Sequence, residues 1–370
     1  MELLVAADDR TGAFETAAAL ADRGAGPVPV SAWPAKPPAA TVAVVDLGSR
    51  HALVADAARR AATLPSAARQ AHKIDSTLRG NWAEELGARA ATHPVLLVPA
   101  LPAFGRTCVG GVVLEHGRPV HEGTAGTDVR RRVCGSRPAD ALRAAGAGGV
   151  VELADPAAIG RWLEAPSGVA VADAADTAAI DAAVTAWATA PTDVVLAGTS
   201  AVIGAAAPAL GMRAAPARPP AFGGPVLVAC GSVHPAARRQ LAAAGRAGHA
   251  VTLLADDLAA GTLRAAGVLI LATEIPVGDV DAPLAAAAAA ALAGGVTELL
   301  RQVGCGALIV LGGDTVAAVA GDASVVVHGS IGVGTAWAEV AGFDQPVITR
   351  SGGFGSEHAL VELIGRCRTV

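Results

Sequence analysis

Short, almost wholly apolar runs punctuate this chain from end to end, and they limit its fold more than any other feature. ELLVAA (2–7), TVAVVD (41–46), PVLLVP (94–99), GVAVAD (168–173), DVVLAG (193–198), PVLVACG (225–231), AVTLLA (250–255), GVLILAT (267–273), GALIVLGG (306–313) and PVIT (346–349) are continuous rather than alternating. A strand with one wet face alternates in polarity; a continuous run suits a strand buried on both faces, as in a parallel sheet covered by helices. Ala-rich helical stretches lie between the runs, at about 11–23, 52–63 and 81–91. The alternation predicts an α/β chain with mostly parallel sheets flanked by helices.

Two stretches break the rhythm. VGGVVLEHGRPVHE (109–122) places two extended arms around His116-Gly117, which predicts a hairpin. MRAAPARPPAFGGP (212–225) is dense in Pro and Gly and has no periodicity, the character of a boundary few contacts cross. With 370 residues, two domains are expected, over 1–215 and 222–370.

The chain is 52% hydrophobic, but its apolar residues are dispersed among Gly, Asp and Arg. The longest apolar run, LAAAAAAALAGG (284–295), reads as too short and too weakly hydrophobic to span a bilayer. A net charge of −5 supplies no global basic field for nucleic acid or anionic lipid. Arg130-Arg131-Arg132 reads as a solvated loop face. Five cysteines without CxxC spacing argue against a disulfide framework or structural zinc, and MELLVAADD meets acids too early for a signal peptide. A cytoplasmic protein without nucleic-acid or membrane partners is expected.

Ligands of open α/β sheets bind at the carboxyl ends of the strands, so the polar residues there are the candidates. ADDRTGA (7–13) follows the first run; one Asp would cap a helix, which leaves the other, with Arg10 and Thr11, for a ligand. KIDSTLRGN (73–81) packs Lys73, Asp75, Ser76, Thr77, Arg79 and Asn81 into nine residues of a chain only 16% charged. An Asp beside two hydroxyls and flanked by cations supplies a base and a grip on carboxylate or phosphate. PALPAFGRTCVGGV (99–112) presents Arg106, whose guanidinium can hold a carboxylate through two hydrogen bonds.

The second half offers Gly-rich turns instead: CGSVHP (230–235), LGGDT (311–315), HGSIGVGT (328–335) and SGGFGS (351–356). Backbone N–H groups exposed by Gly at helix N-termini cradle anions, and a phosphate-rich ligand is the natural guest. There is no GxxxxGK[ST], no GxGxxG after a strand, no HExxH and no GxSxG, which removes the P-loop, weakens a dinucleotide site and leaves zinc and a hydrolase triad without support.

In this order the motifs resemble those of the four-carbon acid sugar kinase family. ADDRTGA is similar to its ADDLTGA, KIDSTLRGN to KxDSTLRGN, PALPAFGRTCVGGV to PAFPxxGRTxxxG, GSVHPAARRQ to GSxSxxTxxQ, LGGDT to GGDTS and QPVITRSGGFG to LPVVTKSGGFG. The resemblance implies an N-terminal sugar-acid domain, a C-terminal nucleotide domain and an active site in the cleft between them. It implies transfer from ATP, with Mg²⁺, to the terminal hydroxyl of an acid such as threonate, erythronate or 3-oxo-tetronate; a homodimer is compatible with the sequence.

By motif match, Ser232, Gly312, Gly313, Asp314, Thr315, Gly352, Gly353, Phe354 and Gly355 fall on the ATP side, while Asp8, Asp9, Arg10, Lys73, Asp75, Ser76, Arg79 and Arg106 fall on the sugar-acid side. Arg79 or Arg106 would hold the carboxylate, Asp75 or Asp9 would accept the hydroxyl proton, and Lys73 would face the γ-phosphate; the metal ligands stay unassigned. Arg10 stands where the family has Leu, Val233-His234-Pro235 replaces a hydroxyl-bearing segment, and Val316 replaces a Ser. A sensor that binds without turnover and, more remotely, an NAD-dependent dehydrogenase are the alternatives.

Overall fold

In the computed structural model, which describes residues 1–128, 132–191, 193–253, 260–274 and 282–368, the apolar runs are strands and the stretches between them mostly helices. The chain divides into two units, Met1–Ala217 and Arg218–Val370. The strands of unit 1 are β1 (Leu3–Ala7), β2 (Val28–Ala32), β3 (Val42–Asp46), β4 (Arg69–Lys73), β5 (Val95–Val98), β6 (Arg106–Val109), β7 (Val112–Glu115), β8 (Arg118–Pro119), β9 (Val150–Leu153), β10 (Val169–Ala172) and β11 (Val195–Gly198). Its helices are α1 (Arg10–Leu20), α2 (Val54–Ala62), α3 (Trp82–Ala90), α4 (Pro138–Ala144), α5 (Pro156–Glu164), α6 (Thr177–Thr189) and α7 (Ser200–Ala209).

Eight of these strands form a wholly parallel sheet in the order β2-β3-β1-β4-β11-β5-β10-β9. Every residue of β1, β3, β5, β10 and β11 is buried, as continuous apolar runs require. With so few aromatic residues the core is built from Ala, Val and Leu, supplemented by Phe14, Trp82 and Trp187.

Three strands of this sheet escaped the sequence reading: β2, β9 and above all β4, whose sequence is RQAHK. A central strand with four polar residues survives because each side chain finds at least one local partner, although His72 Nδ1 is left without one among the described residues. Arg69 donates to the carbonyls of Ala188, Pro191 and Ala190 at the end of α6 and lies over the Trp187 ring. Gln70 accepts from Arg89, His72 pairs with Glu85 at 2.8 Å, and Lys73 reaches the carboxylates of the candidate site. The predicted hairpin is a three-stranded antiparallel meander, β6-β7-β8. Its second turn is at His116-Gly117, as expected; the first, at Gly110-Gly111, also has positive φ at both residues.

Unit 2 contains β12 (Val226–Cys230), β13 (Ala250–Leu253), β14 (Val268–Ala272), β15 (Ala307–Leu311), β16 (Val325–Gly332), β17 (Thr335–Val340) and β18 (Val347–Arg350), with α8 (Pro235–Arg246), α9 (Ala260–Ala266), α10 (Ala282–Gln302), α11 (Gly313–Ala320) and α12 (Ala359–Arg368). The order β13-β14-β12-β15-β18 is parallel; β17 and β16 continue it antiparallel. HGSIGVGT, read from its glycines as a turn able to cradle phosphate, is the end of β16 followed by the Val333-Gly334 turn into β17.

The alanine run is likewise longer than it looked. Extended through Thr297–Gln302 it forms the 21-residue α10, whose stretch Pro283–Gln302, with mean hydropathy 1.5, is long and apolar enough to cross a membrane. In the structure α10 packs on α11, β12 and β14, with Leu292, Val296 and Leu299 buried. Among the described residues all five cysteines are free; Arg130 and Arg131 lie outside them.

Candidate active site

The register of the unit 1 sheet puts Asp46, Ala7, Lys73 and Gly198 side by side at the carboxyl ends of β3, β1, β4 and β11. Whatever follows these four residues must share one edge. Asp8 and Asp9 follow β1, the segment Leu47–Arg50 follows β3, Ile74–Arg79 follows β4, and Thr199-Ser200 follows β11.

Asp9 is the N-cap of α1, with extended backbone; it accepts from Gly12 N and from Thr11 Oγ1, each at 2.8 Å. A Cβ at Gly12 would drive into Lys73, 2.9 Å from Cε, so glycine lets the lysine reach the cap. Lys73 Nζ lies 3.3 Å from Asp8 and 3.8 Å from Asp9.

The central cation is Arg50. Its Nε donates to Asp8 Oδ2 and its Nη1 to Asp9 Oδ2, both at 2.7 Å, and its Nη2 lies 3.5 Å from Asp75 Oδ1. Asp75 in turn holds Arg79 through two side-chain hydrogen bonds of 2.9 and 3.0 Å, and accepts from Thr77 Oγ1 and from the backbone N–H groups of Thr77 and Arg79. Three cations thus balance three carboxylates in a largely buried cluster.

The electrostatics follow from this pairing. Burial by itself would raise the Asp75 pKa, but Arg79 and Arg50 override it and hold the carboxyl well below its usual range. Asp9 shows the same contest: burial pushes up, Arg50 and Lys73 pull down further, and the net shift is downward. Lys73, which burial would neutralise, is kept charged above its usual range by Asp8 and Asp9.

Arg10 departs from this group. It is buried and pairs at 2.9 Å with Asp46, whose Oδ1 accepts from Gly48 N. Burial pushes Asp46 up to about 6 despite Arg10. A carboxyl whose folded pKa is raised contributes stability that is full below the ordinary value near 3.8 and is lost as pH rises through about 6, here roughly 3 kcal/mol. The melting temperature is expected to fall across that window, and Asp46→Asn to flatten the fall; a variant with an unchanged slope would refute the assignment.

Arg106, at the start of β6, is committed to Glu115 across the hairpin through Nε and Nη2, at 2.8 and 2.6 Å, and donates from Nη1 to Ser76 Oγ at 2.7 Å. The hairpin bearing it is tied down by Asp173, which accepts from Gly110 N and Gly111 N. Asn81 is no ligand group: its amide donates to the carbonyls of Ser49 and Ala52 and so fixes the segment that carries Arg50. Arg50, Asp46, Glu15 and Ser200 were missed by the sequence reading. Arg50 was within reach of the strand-end rule, because it follows TVAVVD by four residues.

In unit 2 the register aligns Ala272, Cys230, Leu311 and Arg350, which brings the segments 231–234, 312–315 and 351–355 to one edge. Gly231 N donates to Thr315 Oγ1 at 3.1 Å. Ser232 is wedged between two glycines: a Cβ would come within 3.2 Å of its Cβ from Gly312, which also has φ of +101°, and within 2.6 Å from Gly352. α11 starts at Gly313 with Gly312 as an N-cap that supplies no side-chain acceptor, and its first turn carries the exposed Asp314.

Gly353 lies against the His234 ring, and Gly355 has φ of +94° with Arg350 where a Cβ would go. The Phe354 carbonyl accepts from Arg350 Nη2 and Gln240 Nε2, at 2.7 and 2.8 Å. His234 caps α8 through Nδ1, which accepts from Ala236 N, so the imidazole does the work of a hydroxyl at that place. Val316 is buried. Close-approaching backbone at two helix starts fits a polyphosphate; among the described residues no three His, Cys, Asp or Glu side chains group as a metal site.

Comparison with known proteins adds to this geometry. The family model described as a sugar-binding N-terminal domain matches residues 3–206. The chain is 32% identical over 326 residues to the D-threonate kinase of Bordetella bronchiseptica, covering 78% of this chain and 75% of the relative. A Haemophilus influenzae protein of the DUF1537 family has the same fold, with a TM-score of 0.69 at 20% identity over 98% of each chain. A Bordetella bronchiseptica DUF1537 structure, described as a domain-swapped dimer with bound citrate, has a TM-score of 0.50 at 27% identity over all of both chains.

Proposed function

Since the chain belongs to the four-carbon acid sugar kinase family, we propose that it transfers the γ-phosphoryl group of ATP to a hydroxyl of a small sugar acid, with D-threonate as the first candidate. The observation that carries this reading is the charge-balanced edge of unit 1, where Lys73, Arg50 and Arg79 are interleaved with Asp8, Asp9 and Asp75 in the unit that the sugar-binding model matches. The name of the Bordetella kinase and the citrate in its DUF1537 neighbour support a small carboxylate-bearing ligand.

In this reading Arg79 and Arg106 bind the carboxylate, exchanging part of their hold on Asp75 and Glu115 for the ligand. Lys73, fixed by Asp8 and Asp9, faces the transferred group. The segments around Ser232, Gly312–Thr315 and Gly352–Gly355 hold the nucleotide, their N–H groups and helix starts replacing water around its phosphates. A Mg²⁺ ion carried by those phosphates would neutralise charge developing on the transferred group. A homodimer belongs to the same reading, since the Bordetella neighbour is described as a dimer.

The test is direct. Purified protein with Mg-ATP and a panel of C4 to C6 sugar acids is expected to release ADP with at least one of them, D-threonate first. Absence of acid-dependent ADP release across the panel would overturn the reading.

A further inference from the structure

Resting on that reading, we propose that Glu15 of α1 is the base that takes the proton from the attacking hydroxyl of the acid. Its carboxylate accepts from Ser200 Oγ at 2.7 Å. Ser200 opens α7 immediately after β11, whose Gly198 stands in register with Lys73, so Glu15 belongs to the same sheet edge as the paired aspartates.

The aspartates are poorly placed for the task. Both oxygens of Asp75 are taken by Arg79, Arg50, Thr77 and backbone N–H groups. Both of Asp9 are taken by Gly12, Thr11 and Arg50, and both of Asp8 by Arg50 and Lys73. A carboxylate so engaged can gain a proton only by giving up ion pairs. Among the described residues Glu15 has no ion-pair partner, and its hydrogen bond is from a neutral hydroxyl.

The charged groups acting on Glu15 are Lys73 of β4, Asp9 at the cap of α1 and Asp75 beyond β4. Burial raises its proton affinity, Lys73 and Ser200 oppose the rise, and the net shift is upward, toward the range in which a base works. In the step, the hydroxyl proton passes to Glu15 and the hydroxyl oxygen bonds to the γ-phosphorus. The bond from that phosphorus to the β,γ-bridging oxygen breaks, and the nucleoside diphosphate leaves with its electrons. Glu15 then returns the proton to solvent.

The experiment is the pH dependence of turnover with Mg-ATP and the acid that supports ADP release. Glu15→Gln is expected to lower kcat by roughly 10²–10⁴-fold, with little change in KM for the acid, and to abolish the acid limb of the profile. Ser200→Ala is expected to move that limb to higher pH, because the lost O–H donated to the ionised carboxylate; it decides the matter even if Glu15→Gln fails to fold. An unmoved limb in Ser200→Ala, or a Glu15→Gln enzyme that keeps wild-type kcat or loses only acid affinity, would overturn the assignment while leaving the kinase reading intact. A wild-type protein without turnover would remove the kinase reading and this inference with it.

Discussion

Replacing Arg50 with Met is expected to lower the stability of unit 1 by about 3–5 kcal/mol and the rate of the proposed transfer by about three orders of magnitude. The size of the first effect follows from what the residue joins. One guanidinium holds Asp8 and Asp9 at 2.7 Å each and reaches Asp75 at 3.5 Å, and the Asp8 and Asp75 side chains are almost wholly buried. Methionine keeps the apolar stem but leaves three carboxylates to share Lys73 and Arg79. A buried charge deprived of its partner costs far more than the pair contributed. The second effect follows because Asp9 and Asp75 set the positions of Lys73 and Arg79, so the ligand-facing cations shift when the hub is lost.

Arg50→Lys should recover little, since an ammonium cannot bridge three carboxylates in the planar fork that a guanidinium provides. Urea denaturation of each variant, followed by ADP release under saturating Mg-ATP, measures the two effects separately. Wild-type stability together with wild-type turnover in Arg50→Met would show that Lys73 and Arg79 alone organise the edge.

The case of Arg50 shows what the sequence made legible. Local chemistry was visible wherever it was dense: ADDRTGA and KIDSTLRGN concentrate charge, and both stand at strand ends. Arg50 stood at a strand end too, but its union with them was not visible, because it lies some 40 residues from Asp8 and 25 from Asp75 and is joined to them only through the register of β3, β1 and β4. Pairing order between parallel strands is a non-local property that no window of sequence carries.

β4 was hidden for a different reason. RQAHK lacks the apolar run that betrays a buried strand, since its side chains are neutralised by α6, by Glu85 and Arg89 of α3, and by Asp8. Glycine misled in the opposite direction. Turn chemistry is the same whether a Gly-rich segment opens a helix, as at Gly312-Gly313, or closes a hairpin, as at Val333-Gly334.

For unit 2 the corresponding large effect is expected from Gly352→Ala. The added methyl would lie 2.6 Å from Ser232 Cβ and closer still to its Oγ, a separation that real Cβ atoms essentially never show, so the segments 231–234 and 351–355 must part. They cannot part freely. Arg350 and Gln240 both hold the Phe354 carbonyl two residues on, and Gly231 is tied to Thr315. The displacement therefore falls on the backbone proposed to receive the phosphates, where a misplacement of about 1 Å costs on the order of 10²-fold.

The expected result is a rise of about that size in KM for ATP, with the affinity for the acid in unit 1 unchanged. Adding Ser232→Gly removes the atoms that clash. If sterics are the cause, the double variant regains nucleotide affinity relative to Gly352→Ala alone, beyond what Ser232→Gly by itself predicts, and the non-additivity measures the contact. A Gly352→Ala protein with wild-type nucleotide affinity would instead place the phosphates away from the meeting of the segments that follow β12 and β18, and the assignment of Ser232 and Gly352 to the nucleotide would have to be withdrawn.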